Sequence, residues 1–189
     1  MKKILTDCDG VILDWEAPFH AWMVDKGYSK IKHGVYNLAE AYGIPQDNKH
    51  DIVREFNQSA WMCCLPVFRD ARSGIARLVE AGYVFDVITS LSLDPYAKQL
   101  RQMNLETHFG KDPWNLLTCL DTGADKDDAL DKYEPGHWWI EDKPENCDTG
   151  LKYGHRPILI DHPHNQWYQN PNVIRVKTWD EITGIILNS

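Results

Sequence analysis

Lys2-Lys-Ile-Leu-Thr-Asp-Cys-Asp-Gly-Val-Ile-Leu-Asp14 is the stretch from which the rest of the chain is read. It opens with a short run, Lys2 to Thr6, that reads as a strand, and the run leads straight into Asp7 and Asp9, followed by Gly10. Open α/β sheets bind ligands where the carboxyl ends of strands open into loops. If the backbone stays extended, Asp7 and Asp9 project to one side and Cys8 to the other. One carboxylate can then attack an electrophile while its neighbour manages a proton, and Gly10 permits the sharp exit. Cys8 is expected to be small packing rather than a nucleophile. Taken alone, the octet Asp7 to Asp14 reads more readily as an acidic turn with N-capping aspartates.

Outward from this segment, apolar runs recur at Tyr83 to Ile88, Trp114 to Cys119, His137 to Ile140, Arg156 to Ile160 and Val173 to Val176, and these read as strands. Helix signals lie between them: Asp94-Pro95 as N-cap and first residue, Glu145 to Tyr153 closed by Gly154, and Thr178-Trp-Asp-Glu181 as a capping box. The alternation predicts an α/β fold, a Rossmann-like and largely parallel sheet with helices on both faces. From Asp14 to Gly82 there is no convincing strand. Helical patterns fall at Ala17 to Lys26, Tyr36 to Ala41, Asn48 to Ala60 and Ala71 to Ala81. The expected organisation is a core of residues 1–14 and 83–189, with a small helical cap, 15–82, inserted after the first strand.

The size and charge of the chain narrow its partners. Its 189 residues allow one full core and one small subdomain, and 43% hydrophobic with 25% charged residues is ordinary globular composition. A net charge of -8 repels phosphate backbones and anionic headgroups, so neither nucleic acid nor a membrane is expected as main partner. The cysteines at 8, 63, 64, 119 and 147 contain no C-x-x-C pair, and no 18-residue apolar run exists. The expectation is a soluble protein of a reducing, cytoplasmic compartment.

Three further strand ends carry polar groups. Thr89-Ser90 offers hydroxyls that can hold a phosphate oxygen, although such a pair is commonly a turn or helix cap. Lys126 precedes a predicted helix start at Asp127 and can reach a phosphate near the strand ends; an exposed lysine is the plainer alternative. Glu141-Asp142 suits Mg²⁺, which wants hard oxygen ligands, and equally suits the acidic first turn of a helix.

In this order, Asp-x-Asp, Thr, Lys and Glu-Asp at the ends of successive strands resemble the four-motif signature of the haloacid dehalogenase-like (HAD) phosphohydrolases, from Lys2 to the last helix. Asp7 to Trp15, Phe85 to Ser90, Asp125-Lys126, Ile140 to Pro144, Ile158 to Asp161 with Asn165, and Arg175 to Trp179 look most like the 5'(3')-deoxyribonucleotidase family. The resemblance implies an aspartyl-phosphate mechanism. Asp7 would be the nucleophile and Asp9 the acid and then the base. Mg²⁺ would be held by Asp7, the backbone carbonyl of Asp9 and Asp142, with Glu141 behind them. Thr89, Ser90 and Lys126 would hold the phosphate. It also implies a nucleoside monophosphate substrate, with Trp15, Tyr36 and Asn37 in the substrate pocket. Asn37 stands where the family has a second aromatic, and Ala124 where a basic residue is expected.

Residues 15 to 61 are rich in aromatics, among them Trp15, Phe19 and Trp22 at helical spacing, which reads as the core of the cap. His162-Pro-His164 invites a metal but shows no third ligand in sequence and reads as a turn. The competing functions are a phosphatase for another small phosphate such as a sugar phosphate and, from a different class, a non-catalytic nucleotide binder or receiver-like phosphoacceptor.

Overall fold

The strand signals fall where alternating or continuous apolar residues can be buried by helices. In the computed structural model, which describes residues 2–189, they become β1 (Lys2–Thr6), β2 (Tyr83–Thr89), β3 (Trp114–Cys119), β4 (Trp138–Glu141), β5 (Arg156–Ile160) and β6 (Ile174–Val176). The sheet order is β3-β2-β1-β4-β5-β6 and every pairing is parallel. β1 sits in the middle, with Ile4 opposite Phe85 on one side and Trp138 on the other. Its apolar residues Ile4 and Leu5 are fully buried, as in a strand covered on both faces. The order reverses between β1 and β4, and that switch point is where an open α/β sheet leaves a crevice.

The interval between β1 and β2 holds α1 (Glu16–Asp25), α2 (Leu38–Tyr42), α3 (Lys49–Asn57) and α4 (Ala71–Glu80), with a 3-10 turn at Ala60–Cys63. It does not pack as one unit. α4 lies against β2 and the last helix, α8 (Trp179–Leu187). A methyl group on Gly74 of α4 would come within 2.6 Å of Trp179 Cβ, so the two helices approach too closely for any larger residue. The Asp70 carboxylate, just before α4, accepts the backbone N–H groups of Trp179 and Asp180 at the start of α8. The remaining helices meet the loops at the carboxyl ends of the strands. Asn57 donates to the Leu91 carbonyl (2.8 Å), Gln58 to Ser92 (2.8 Å), and Arg54 reaches Asp121 (3.4 Å).

α1 to α3 meet through aromatic side chains that are continuous with the core of the sheet. Trp15 stacks on Phe19 at 4.3 Å, while Phe56 meets Phe19 edge-on at 5.2 Å and Trp22 at 5.5 Å. Such pairs add roughly 0.5 to 1.5 kcal/mol each beyond their buried area.

The core helices start as the sequence signals predict. Asp94 caps α5 (Pro95–Phe109) by accepting the Tyr96 N–H at 2.7 Å. Thr178 accepts the Glu181 N–H, but Glu181 turns its carboxylate to the Lys177 N–H, so the predicted capping box forms only in part. Among the described residues no helix is long and apolar enough to cross a membrane. The five cysteines are all free.

Candidate active site

The ladder between β1 and β4 continues one residue past β1, where the Asp7 N–H donates to the Ile140 carbonyl at 2.8 Å. This brings the end of the first strand beside the end of the fourth. Asp7 Oδ1 accepts the Cys8 N–H (2.7 Å) and lies 2.9 Å from Lys126 Nζ. Lys126 also donates to Glu141 Oε1 at 2.7 Å. Glu141 further accepts the N–H groups of Asp142 (2.6 Å) and Lys143 (2.7 Å) and the Asn146 amide (2.5 Å). Lys126 and Glu141 are both buried, so the lysine is no surface residue but a cation closed in by two carboxylates.

Burial and like charges act on these groups in different directions. Burial raises Asp7, Lys126 opposes it, and Glu141 and Asp9 add to the rise, leaving Asp7 at about 7. Asp142 is pushed well above the carboxylate range by burial and then by Glu141 and Asp7. Burial raises Glu141 too, but Lys126 and the donors around it win, and it falls below its usual value.

Gly10 makes this proximity possible. Its φ of 74° is in the left-handed region, and a Cβ there would stand 2.5 Å from Asp142 Oδ2. The loop around it is pinned by Trp179 Nε1 donating to the Val11 carbonyl and His162 Nε2 donating to the Gly10 carbonyl, both at 2.8 Å. Asp7, Glu141 and Asp142 thus each offer a carboxylate oxygen within 4.8 Å of the others.

Asp9 has a different partner, one the sequence reading missed. Arg101, fully buried on α5, forks onto Asp9 with Nη1 to Oδ1 at 2.6 Å and Nη2 to Oδ2 at 3.1 Å. Its signal was present in the sequence. The buried face of α5 comprises Ala97, Leu100, Arg101, Asn104 and Leu105, and a buried arginine beside three apolar residues needs an anion. The same guanidinium donates to Cys8 Sγ at 2.8 Å. The expected alternation of Asp7, Cys8 and Asp9 therefore fails, because the chain leaves the strand at Thr6 and Cys8 shares a cation with Asp9. Cys8 is packing as expected, and burial pushes its thiol up to about 12.

Thr89 is buried at the end of β2. Ser90 donates to the Ala124 carbonyl at 2.7 Å, tying its loop to the one that carries Lys126. Of the three expected pocket residues, Trp15 donates its indole N–H to Asn57 at 2.9 Å, and Asn37 caps α2 by accepting the Ala39 N–H at 3.0 Å. Tyr36 has its ring largely open. Its ring meets His164 edge-on at 5.2 Å, and its hydroxyl is pushed well above the phenol range by loss of solvent and then by Asp142, Glu141 and Asp7. The His162 and His164 rings stack at 5.1 Å. A third potential ligand, absent from the local sequence, comes from the β4 loop as Asp142. The predicted turn is a 3-10 turn at Pro163–Asn165, and burial depresses both imidazoles, His162 to about 4. Two surface concavities of about 500 and 470 Å³ are lined by residues such as Tyr168 and Arg175, or Lys132 and Tyr153, and include none of these groups.

No family model matches the sequence, and no curated protein is similar to it. Solved structures are similar in shape. A haloacid dehalogenase-like hydrolase from Streptococcus pneumoniae superposes with a TM-score of 0.69 at 13% identity over 98% of each chain. CbbY from Rhodobacter sphaeroides, in complex with phosphate, gives 0.65 at 16% over 96% of each. D,D-heptose 1,7-bisphosphate phosphatase from B. bronchiseptica, complexed with magnesium and phosphate, gives 0.57 at 14% over 100% of this chain and 99% of that one. The fold is that of the haloacid dehalogenase-like hydrolases. In this HAD-like fold the carboxylates Asp7, Glu141 and Asp142 and the cation Lys126 converge at the switch point of the sheet.

Proposed function

We propose that the protein is a Mg²⁺-dependent phosphatase that works through an aspartyl-phosphate on Asp7. The observation that carries this reading is the convergence, at one sheet crevice, of a carboxylate, a buried lysine and a second acidic pair. The donor set fits Mg²⁺. It is all oxygen, and without a cation burial and then repulsion from Glu141 drive Asp7 and Asp142 toward protonation. Asp7, Asp142 and the Asp9 carbonyl would hold the ion, while Glu141, bonded to Lys126, Asn146 and two backbone N–H groups, stays behind them. When bound, the ion neutralises the phosphoryl oxygens and the carboxylates that face them. Counting the carboxylates Asp7, Glu141 and Asp142 against Lys126 leaves two negative charges, which one divalent cation cancels.

In the reaction an Asp7 oxygen forms a bond to phosphorus as the bond to the leaving oxygen breaks, and that oxygen takes a proton from Asp9. Water then attacks the phosphoenzyme, Asp9 accepts its proton, and the phosphorus–oxygen bond to Asp7 breaks to return the carboxylate. Thr89, Lys126 and backbone N–H groups of the first loop hold the equatorial oxygens. Ser90 contributes through its backbone, since its hydroxyl is committed to Ala124.

For the substrate, the favoured reading is a nucleoside monophosphate. The support is Tyr36, a largely exposed aromatic whose ring meets His164 edge-on at 5.2 Å beside Asp142, together with Trp15 at the start of α1. On this reading residues 15–66 form the cap, and α4, which packs on α8, belongs with the core. The sugar phosphate reading draws support from the heptose bisphosphate phosphatase likeness. Phosphate release with Mg²⁺ over a panel of nucleoside monophosphates and sugar phosphates decides between them. Asp9→Asn gives a finer test, because para-nitrophenolate leaves without much help. The variant should release one burst of product from the aryl phosphate and stall, and should give no burst from a nucleoside monophosphate. Equal bursts would remove the acid role.

A further inference from the structure

The cysteines take no part in the proposed chemistry, yet two of them meet. Cys63 and Cys64 follow one another at the end of the 3-10 turn Ala60–Cys63, and their Sγ atoms lie 3.2 Å apart. Neighbouring side chains on an extended strand point to opposite faces. Here the chain leaves the turn with Cys64 at φ -128° and ψ 12°, and both sulfurs come to the same side. Cys64 is exposed and Cys63 half-buried, whereas Cys8 and Cys147 are buried. The same turn backs the candidate active site. Met62 is fully buried with its Sδ 3.3 Å from Arg101 Nη2, and its carbonyl accepts the Asn104 amide at 3.1 Å. Arg101 in turn forks onto Asp9. Two bonds of the cysteine pair hold the turn: the Cys63 thiol donates to the Ala60 carbonyl at 3.1 Å, and the Cys64 N–H to the Trp61 carbonyl at 3.0 Å.

We propose that Cys63 and Cys64 are a redox-active dithiol that low-molecular-weight disulfides close to a vicinal disulfide, and that closure lowers turnover by displacing the turn that carries Met62. Only the loss of turnover rests on the phosphatase reading of the site. In the first step the exposed Cys64, as thiolate, attacks one sulfur of the oxidant, and a mixed disulfide forms as a small thiolate leaves. In the second step Cys63 loses its proton and attacks Cys64 Sγ, the bond between the protein sulfurs forms, and the second small thiolate leaves. The two protein thiols give up two electrons and two protons, and the oxidant becomes two thiols. The sulfurs have to close from 3.2 Å to about 2.05 Å. Adjacent Cα atoms are about 3.8 Å apart, closer than the roughly 4.4 to 6.8 Å usual across a disulfide, so the ring is strained and readily reduced again. Closure removes the Cys63 S–H and with it the bond to Ala60. The peptide bond between the two residues becomes part of the ring, so the bond from the Cys64 N–H to Trp61 must adjust as well.

The test equilibrates the full chain in glutathione buffers of rising oxidised-to-reduced ratio. Each sample is acid-quenched, alkylated and read by intact mass and peptide mapping, and a matching sample is assayed for phosphate release from para-nitrophenyl phosphate with Mg²⁺. The parent should lose the mass of two hydrogen atoms, with Cys63 and Cys64 both closed to alkylation, and its kcat should fall by about fivefold or more. Dithiothreitol should restore both readings. Cys63→Ser and Cys64→Ser should keep the reduced parent's kcat within about twofold, since serine preserves size and a hydroxyl donor. Cys63→Ser should stop at a glutathione adduct on Cys64, and Cys64→Ser should form no bond at position 63. A lasting adduct on Cys64 of the parent, a bond from either residue to Cys119, or no change at 63 and 64 overturns the dithiol. Closure that leaves kcat within about twofold overturns the link through Met62. If the reduced parent releases phosphate from no phosphomonoester, it is the phosphatase reading that fails, and the mass reading still decides the dithiol.

Discussion

Charges are handled differently at the strand ends and in the inserted helices. At the ends of β1, β3 and β4 the cations are buried: Lys126 lies 2.9 Å from Asp7 and 2.7 Å from Glu141, and Arg101 is enclosed behind the partly exposed Asp9. Over α1 to α3 the ion pairs Lys26–Glu55, Lys30–Glu16 and Lys32–Glu40 lie toward the surface, and an aromatic cluster around Phe19 and Phe56 holds the helices together. Desolvated charges are costly unless paired, so each member of the first group is fixed by the others. Exposed pairs are screened and exchange with water. The charged groups at the strand ends are therefore held rigidly, while the exposed pairs over the helices can change with little effect on the fold.

The largest expected effect lies at the strand ends. Asp7→Asn should keep the fold and lower turnover by at least about a hundredfold, read by phosphate release with Mg²⁺. Retention of more than a few per cent, about a 2 kcal/mol change, would place the nucleophile elsewhere. Lys126→Met should cost roughly 3 to 5 kcal/mol in urea denaturation, because Glu141 and Asp7 lose their cation, whereas Lys26→Met should cost less than about 1 kcal/mol. Similar losses for the two lysines would break the contrast between the regions.

Asp142→Ala should weaken Mg²⁺ binding by about tenfold or more, with part of the rate restored at high metal concentration. An unchanged titration removes it as a ligand. In the helices, Trp15→Ala should reduce kcat/KM for a nucleoside monophosphate about 5- to 150-fold relative to a small aryl phosphate. Equal losses on both would make Trp15 structural, a role its stack on Phe19 and bond to Asn57 can fill.

The last effect is on stability against pH in the metal-free protein. Asp7 is raised from 3.8 to about 7 in the folded state, so across that window the folded protein holds a proton that the unfolded chain has lost. The contribution of this group to stability is therefore lost as pH rises through the window. The depressed His162 acts with the opposite sign between about 4 and 6.5, so the comparison must be variant against parent. Asp7→Asn should stabilise the metal-free chain increasingly from pH 4 to pH 7, and a pH-independent difference would show that Asp7 does not titrate there.

Much of the fold was legible because strand and helix signals are local. β1, β3 and β5 begin and end at the expected residues, and Asp94-Pro95 and Thr178 start their helices, since side-chain alternation and caps depend only on near neighbours. The predicted helix from Asn48 to Ala60 was too long: α3 stops at Asn57, where the chain folds back and a separate turn carries Met62 onto α5. Asp7, Lys126, Glu141 and Asp142 were readable because each sits beside the end of its own element. Their convergence rests on the parallel order of β3, β2, β1 and β4.

By itself, then, the sequence determined the elements, the parallel alternation and the carboxylates at the strand ends, all of which follow from residue type and short-range spacing. Only the tertiary structure decided which groups meet across long separations. Arg101 pairs with Asp9 from 92 positions away, Asp142 joins His162 and His164 across the sheet, and α4 leaves the inserted helices to pack on α8. The physical reason is that burial decides these pairings. A charged side chain must find its partner wherever the packed core leaves one, and no local pattern in the chain specifies where that is.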